Sequence, residues 1–153
     1  MTRAGTKIPR SVLVVIHTVD LQVLLLERAD HPGFWQSVTG SKDRPDEPLT
    51  ETCRREVLEE TGIDVAEHVL ADWSLVNRFE IFAHWRWRYP PGVTHNTEHV
   101  FGLRLARPVQ VRIAPREHLA YAWLPWREAA ERCFSWSNAE AIRQLAQRGA
   151  PPP

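Results

Sequence analysis

The stretch Arg55-Glu56-Val57-Leu58-Glu59-Glu60-Thr61-Gly62-Ile63 crowds three glutamates into one end of a segment whose upstream spacing is helical. At about 100° per residue, Leu49, Cys53 and Val57 share one stripe, which should face a sheet, and Glu60 falls on the same side. Glu56 and Glu60 are spaced i,i+4 and Glu56 and Glu59 i,i+3, so the like charges repel by roughly a few tenths of a kcal/mol per pair. They also occupy the last turn, where the helix dipole favours cations. A cluster that local energetics oppose needs a compensating cation. A hard divalent ion such as Mg²⁺ takes carboxylate oxygens and keeps its remaining positions for water and substrate phosphate. An isolated Glu-Glu pair is ordinarily a solvated acidic face, braced here by Arg54 and Arg55, with Arg55 and Glu59 spaced for a pair. What favours a metal is the whole string together with the preceding Gly40 and Glu47, and Glu56 and Glu60 are the first ligands expected.

The helix is well marked. Asp46 or Glu47 is the expected N-cap, Pro48 stands in the first turn where a missing N–H costs little, and Gly62 stands just past the end. Upstream, Ser11–Thr18 and Gln22–Glu27 are short runs rich in branched apolar residues and read as adjacent buried strands. Gln36–Thr39 reads as a short strand and 40–45 as a polar loop. Downstream, Val69–Leu105 reads as strands, including the alternating His84-Trp85-Arg86-Trp87-Arg88-Tyr89, which turns at Pro90-Pro91-Gly92. Leu119–Leu124 is a further strand. Two helices, near Trp126–Cys133 and Asn138–Arg148, finish the chain, with Ser137 the expected cap of the second. Strands on either side of a central helix imply a mixed sheet covered by helices.

A chain of 153 residues fits one domain, expected over 1–149, with the Pro-rich 150–153 as a disordered end. Lys+Arg and Asp+Glu balance at 19 each, so no global field recruits nucleic acid or membrane. Cys53 and Cys133 form neither a metal-ligand spacing nor a disulfide framework. With no secretory signal and no apolar run of the roughly 20 residues that span a bilayer, a cytoplasmic protein is expected. Oligomeric state is not legible.

With Gly40 and Glu47 added, Arg55–Ile63 resembles the signature of the Nudix hydrolases. That signature runs Gly, five residues, Glu, seven residues, then Arg-Glu-aliphatic-any-Glu-Glu-any-Gly-aliphatic. The second half matches at every fixed position and Glu47 is correctly spaced from Arg55, but Gly40 stands six residues before Glu47, so the 41–46 loop carries one extra residue. The resemblance implies an α/β/α sandwich on a mixed β-sheet with a catalytic loop-helix-loop, and Mg²⁺-dependent pyrophosphohydrolysis.

Segments outside the box (Phe34–Gly40, Phe79–Phe82, Tyr89–Thr94, Glu117–Tyr121 and Ser135–Asn138) are similar to a bacterial branch of that family. The implied reaction there is cleavage of dihydroneopterin triphosphate to the monophosphate and pyrophosphate, in folate biosynthesis. By that similarity Lys7, Arg28, Thr39, Phe79, Glu80, Ile81, Phe82 and Ser135 match substrate-binding positions, and Glu56, Glu60 and Glu117 match metal positions. Each has an ordinary reading too: Lys7 and Arg28 as solvated cations, Glu117 as a surface acid, and Phe79, Phe82, Trp35 and Trp123 as core. A flat pterin would nonetheless stack on an exposed ring. If 84–89 is a strand, Trp85, Trp87 and Tyr89 share one face and Arg86 and Arg88 the other, the arginines being candidate phosphate contacts. His84, His95, His99 and His118 share no ligand spacing and receive no metal.

For catalysis, Glu56 and Glu60 are expected to hold Mg²⁺, Glu59 to share ligation or position water, Arg55 to orient the carboxylates, and Glu59 or Glu117 to act as base. Three rivals remain: a housecleaning pyrophosphohydrolase of dATP or oxidised purine nucleotides, a non-catalytic nucleotide-sensing module, and a protein-interaction domain that rests only on the many aromatics.

Overall fold

Ser11–Ile16 carries no charge, and a strand that is apolar along its length must be covered on both faces. In the computed structural model, which describes residues 7–148, this segment is the middle of the sheet. The expected tail at 150–153 and the expected domain limits lie outside the described residues. Strand β1 (Arg10–Thr18) pairs with β2 (Gln22–Arg28), β4 (Val38–Ser41) and β6 (His95–Leu105). The β1–β6 ladder is parallel, whereas β1 runs antiparallel to β2 and β4. Short β3 (Trp35–Gln36) and β7 (His118–Pro125) pair with β2, and β5 (Val69–Glu80) closes the other side on β6. The sheet is therefore mixed, as expected.

Alternation along β1 divides the core. Val12, Val14 and Ile16 pack with Cys53 and Val57 of α1 (Leu49–Thr61). Leu13 and Val15 pack on the opposite face with Ala129 and Ala130 of α2 (Trp126–Arg132) and with Ala141, Ile142 and Leu145 of α3 (Trp136–Arg148). Each fully buried Val, Leu or Ile contributes about 1.5–3 kcal/mol by leaving water. Both faces are covered, which gives the α/β/α sandwich. Among the described residues, no helix is long and apolar enough to cross a membrane.

Three expectations are corrected. His84–Tyr89 is not a strand: Ala83–Arg88 forms a 3₁₀ helix. Its alternation of Trp and Arg serves local stacking, with the Arg88 guanidinium 5.7 Å from the Trp85 ring centre, three residues away on the same face. The caps also move. Pro48, with extended backbone, takes the N-cap position of α1 with no side-chain cap, because Glu47 is drawn inward instead. Ser137 lies inside the first turn of α3, and Ser135 Oγ accepts from the Asn138 amide at 3.5 Å.

Gly62 caps α1 at φ 77°, donating its N–H to the Leu58 carbonyl. An L side chain is disfavoured there, so Gly62→Ala should lower unfolding free energy by about 1 kcal/mol in a urea titration.

Candidate active site

Strand ends converge at one end of the sheet: the starts of β1, β6 and β7, the ends of β2 and β5, and all of β4. There α1 delivers its glutamates. Glu47 is 2% exposed and accepts from Arg55 Nε at 3.2 Å, Arg55 Nη2 at 3.0 Å, Thr52 Oγ1 at 2.7 Å and the Asp43 amide at 3.0 Å. The Arg55 guanidinium foremost, aided by Thr52 and the Asp43 amide, holds its carboxyl at a pKa of about 2. Arg55 also donates to Glu56 Oε1 at 2.7 Å and to the Ser41 carbonyl at 3.0 Å. Arg55 therefore joins Glu47, the strand end and Glu56. No Arg55–Glu59 pair forms, and Arg54 pairs with Glu51.

Gly40 explains itself by contact, since a Cβ there would overlap the Glu56 carboxyl. The extra loop residue is absorbed within an exposed turn over 43–46, closed by the Glu47 amide donating to the Arg44 carbonyl at 3.1 Å.

Glu60 is 3% exposed. Burial, then the charge of Glu56 and a hydrogen bond with it, then Glu117 and Glu59, push its pKa well above the ordinary carboxyl value. Burial also raises Glu56. A buried carboxyl and a half-buried one this close repel when both are ionised, which a cation between them would relieve. Ligand atoms of Glu60, Glu117 and His118 lie within 4.8 Å of one another. His118 Nε2 stands 3.5 Å from Glu60 Oε1, and its Nδ1 is buried without a partner. Burial, with the Arg28 charge, lowers its pKa to about 4, so the ring is neutral near pH 7 and free to donate a lone pair. Two hard carboxylates and a neutral imidazole fit a divalent cation.

His118, which received no metal from the sequence, therefore joins the cluster. Its only sequence signal was adjacency to Glu117. Glu59 is exposed on α1 and reaches Glu56 and Glu60 through its charge.

Beside the carboxylates lies a cleft of about 410 Å³. It gathers Lys7, Arg28, Thr39 and Ser135, and the run Phe79, Glu80, Ile81 and Phe82 forms a wall. Gly40 is common to both places, lining the cleft and touching Glu56. Lys7 is depressed by burial and by Arg88, against the opposing pull of Glu56 and Glu60. Arg28 is held by Asp30 through two bonds at 2.7 and 2.6 Å and by Gln36 at 3.1 Å, with its guanidinium 5.1 Å from the Trp85 ring centre. Phe82 is 56% exposed, so it is not core, and it meets Trp85 edge-on. Trp85, Arg88 and Tyr89 line the cleft, whereas Trp87 is exposed and Arg86 turns back to the Ile81 carbonyl at 3.0 Å. Glu98, Asn96 and Ser11 at the cleft floor went unnoticed in the sequence, where they sit in ordinary strand patterns.

The NUDIX domain family model matches residues 7–145. The chain is 49% identical to the dihydroneopterin triphosphate diphosphatase of Escherichia coli K12 over 147 residues, covering 94% of this chain and 96% of that protein. It is 41% identical over 138 residues to the protein of that name from Haemophilus influenzae, covering 88% and 85%. The solved E. coli dihydroneopterin triphosphate pyrophosphohydrolase superposes with a TM-score of 0.85 at 46% identity, covering 94% of this chain and 99% of that one. A C. elegans Ap4A hydrolase complex superposes at 0.72 with 18% identity, a likeness of fold alone.

Because the Glu47 pKa is held at about 2 against 4.5, its contribution to stability is complete above about pH 4.5 and is lost as pH falls toward 2. Glu47→Gln should lower stability at pH 7 and flatten the acid limb of a denaturation-versus-pH profile.

Proposed function

The chain belongs to the Nudix family, and from that footing we propose that it is a Mg²⁺-dependent pyrophosphohydrolase converting dihydroneopterin triphosphate to dihydroneopterin monophosphate and pyrophosphate, a step of folate biosynthesis. The observation that carries this reading is adjacency: a cleft with aromatic walls and a polar floor shares Gly40 with a cluster of cation-starved carboxylates. The near full-length identity to relatives named for this substrate supports the choice of base.

Glu60 and Glu117, with Glu56 and His118 beside Glu60, would hold Mg²⁺. When bound, the ion supplies positive charge to non-bridging phosphate oxygens and lowers the pKa of water. Lys7 and Arg88 bring cations to the phosphate chain from the cleft side, where binding also relieves their mutual repulsion. Thr39 and Ser135 offer hydroxyls to it. Arg55 keeps Glu56 in place without touching substrate. The proton of the attacking water passes to Glu59 or Glu117, the two exposed carboxylates, from which solvent removes it. Phe82 and Trp85 supply ring faces for a flat base.

Incubation with Mg²⁺ and either dihydroneopterin triphosphate or dATP, followed by identification of the released phosphate species, tests the reading. Pyrophosphate released with the higher kcat/KM on the pterin is expected; orthophosphate release, or preference for dATP, overturns it. Glu60→Gln should lower kcat by about 100-fold or more at saturating Mg²⁺ without loss of thermal stability. Lys7→Ala should raise KM more than it lowers kcat.

A further inference from the structure

Gln36 lines the cleft between two other cleft residues, Arg28 and Thr39, and the function proposed above gives it no role. It is 5% exposed and stands on β3 in register with Leu26. Arg28 donates to Asp30 through Nε at 2.7 Å and Nη2 at 2.6 Å, and its Nη1 donates to Gln36 Oε1 at 3.1 Å. A guanidinium has donors only, so it fixes which end of the carboxamide faces it. The other end, Nε2, then donates to Thr39 Oγ1 at 3.3 Å. Turning the amide over would set its NH₂ group against the guanidinium and leave buried donors without acceptors. The Thr39 hydroxyl therefore has one lone pair engaged, and among the described residues no acceptor takes its proton.

We infer that Gln36 is a positioning residue, which holds the Thr39 hydroxyl as a hydrogen-bond donor for the phosphate chain. The oxygens of an ionised triphosphate only accept, so a hydroxyl serves them only with its proton outward. A free threonine hydroxyl rotates between donating and accepting. One that already accepts from an amide has that choice made for it, and the accepted bond polarises its O–H toward stronger donation. Asp30 anchors the other end of the chain by holding Arg28, whose guanidinium lies 5.1 Å from the Trp85 ring centre. From Arg28 onward each group donates to the next, and the phosphate is the final acceptor. The contact between Thr39 and phosphate rests on the function proposed above.

The test is a double-mutant cycle on the full chain with Mg²⁺ and dihydroneopterin triphosphate, pairing Gln36→Glu with Thr39→Val. A glutamate keeps the size and the Arg28 partner but offers Thr39 an acceptor, so the hydroxyl proton turns inward. KM should rise by about 10-fold with kcat changed by less than about 2-fold, and in the Thr39→Val background the same substitution should change KM by less than about 2-fold. An equal KM factor in both backgrounds overturns the inference, because neither an added negative charge nor a purely structural role needs the hydroxyl. An unchanged KM, or a loss carried by kcat, overturns it too. Should Gln36→Glu not fold, Gln36→Met, which removes both hydrogen bonds at similar volume, is read by the same cycle, with a KM rise of about 3-fold that Thr39→Val abolishes. A wild type that releases no pyrophosphate from dihydroneopterin triphosphate refutes the proposed substrate alone: the cycle is then read as the Kd of inorganic tripolyphosphate with Mg²⁺ by calorimetry, where the same pair of factors decides the role of Gln36.

Discussion

The site depends on one guanidinium. Arg55 sits between Glu47, Glu56 and the Ser41 carbonyl, so the end of β4, the loop that follows it and the glutamate-bearing face of α1 are a single body. Hydrogen bonds to charged groups contribute about 1.5–3 kcal/mol each, and removing one partner of a buried pair costs about 3–5 kcal/mol because the other charge is stranded. Glu47 is buried with three kinds of donor directed at it, which makes it the anchor of Arg55 and leaves it no role in holding a metal. The glycine at 40 belongs to the same constraint, since any side chain there would displace the Glu56 carboxyl.

Around that body the sheet sorts its chemistry by face and by end. Val12 lies opposite Gly40 and faces α1, whereas Leu13 opposite Thr39 and Ser11 opposite Ser41 face the cleft. A strand alternates its sides, so one four-residue strand serves the carboxylate cluster with Gly40 and the cleft with Thr39 and Ser41. The parallel β1–β6 pairing then brings Glu98 beside Ser11. Charge is sorted in the same way, with Lys7, Arg28 and Arg88 around the cleft and Glu56, Glu60 and Glu117 beyond Gly40.

The helix Leu49–Thr61, its glycine stop, the two-faced burial of β1 and the carboxylate cluster were all legible in the sequence, because each rests on local periodicity or on spacing along one element. The burial of Glu60 followed from its place on the stripe with Cys53 and Val57. The segment 84–89 misled because an alternating pattern of large aromatics and arginines has the period of a strand, yet its side chains stack on one another in a 3₁₀ turn.

What the sequence determined by itself is the set of groups that one helix can present: three glutamates and an arginine spaced to pair with carboxylates. Only the tertiary structure decided what stands opposite. His118 reaches Glu60 because β7 pairs with β2, and Glu98 reaches the cleft floor because β6 runs parallel to β1. These are contacts between residues far apart along the chain, set by strand pairing and register, and no local period encodes which strand will lie beside which.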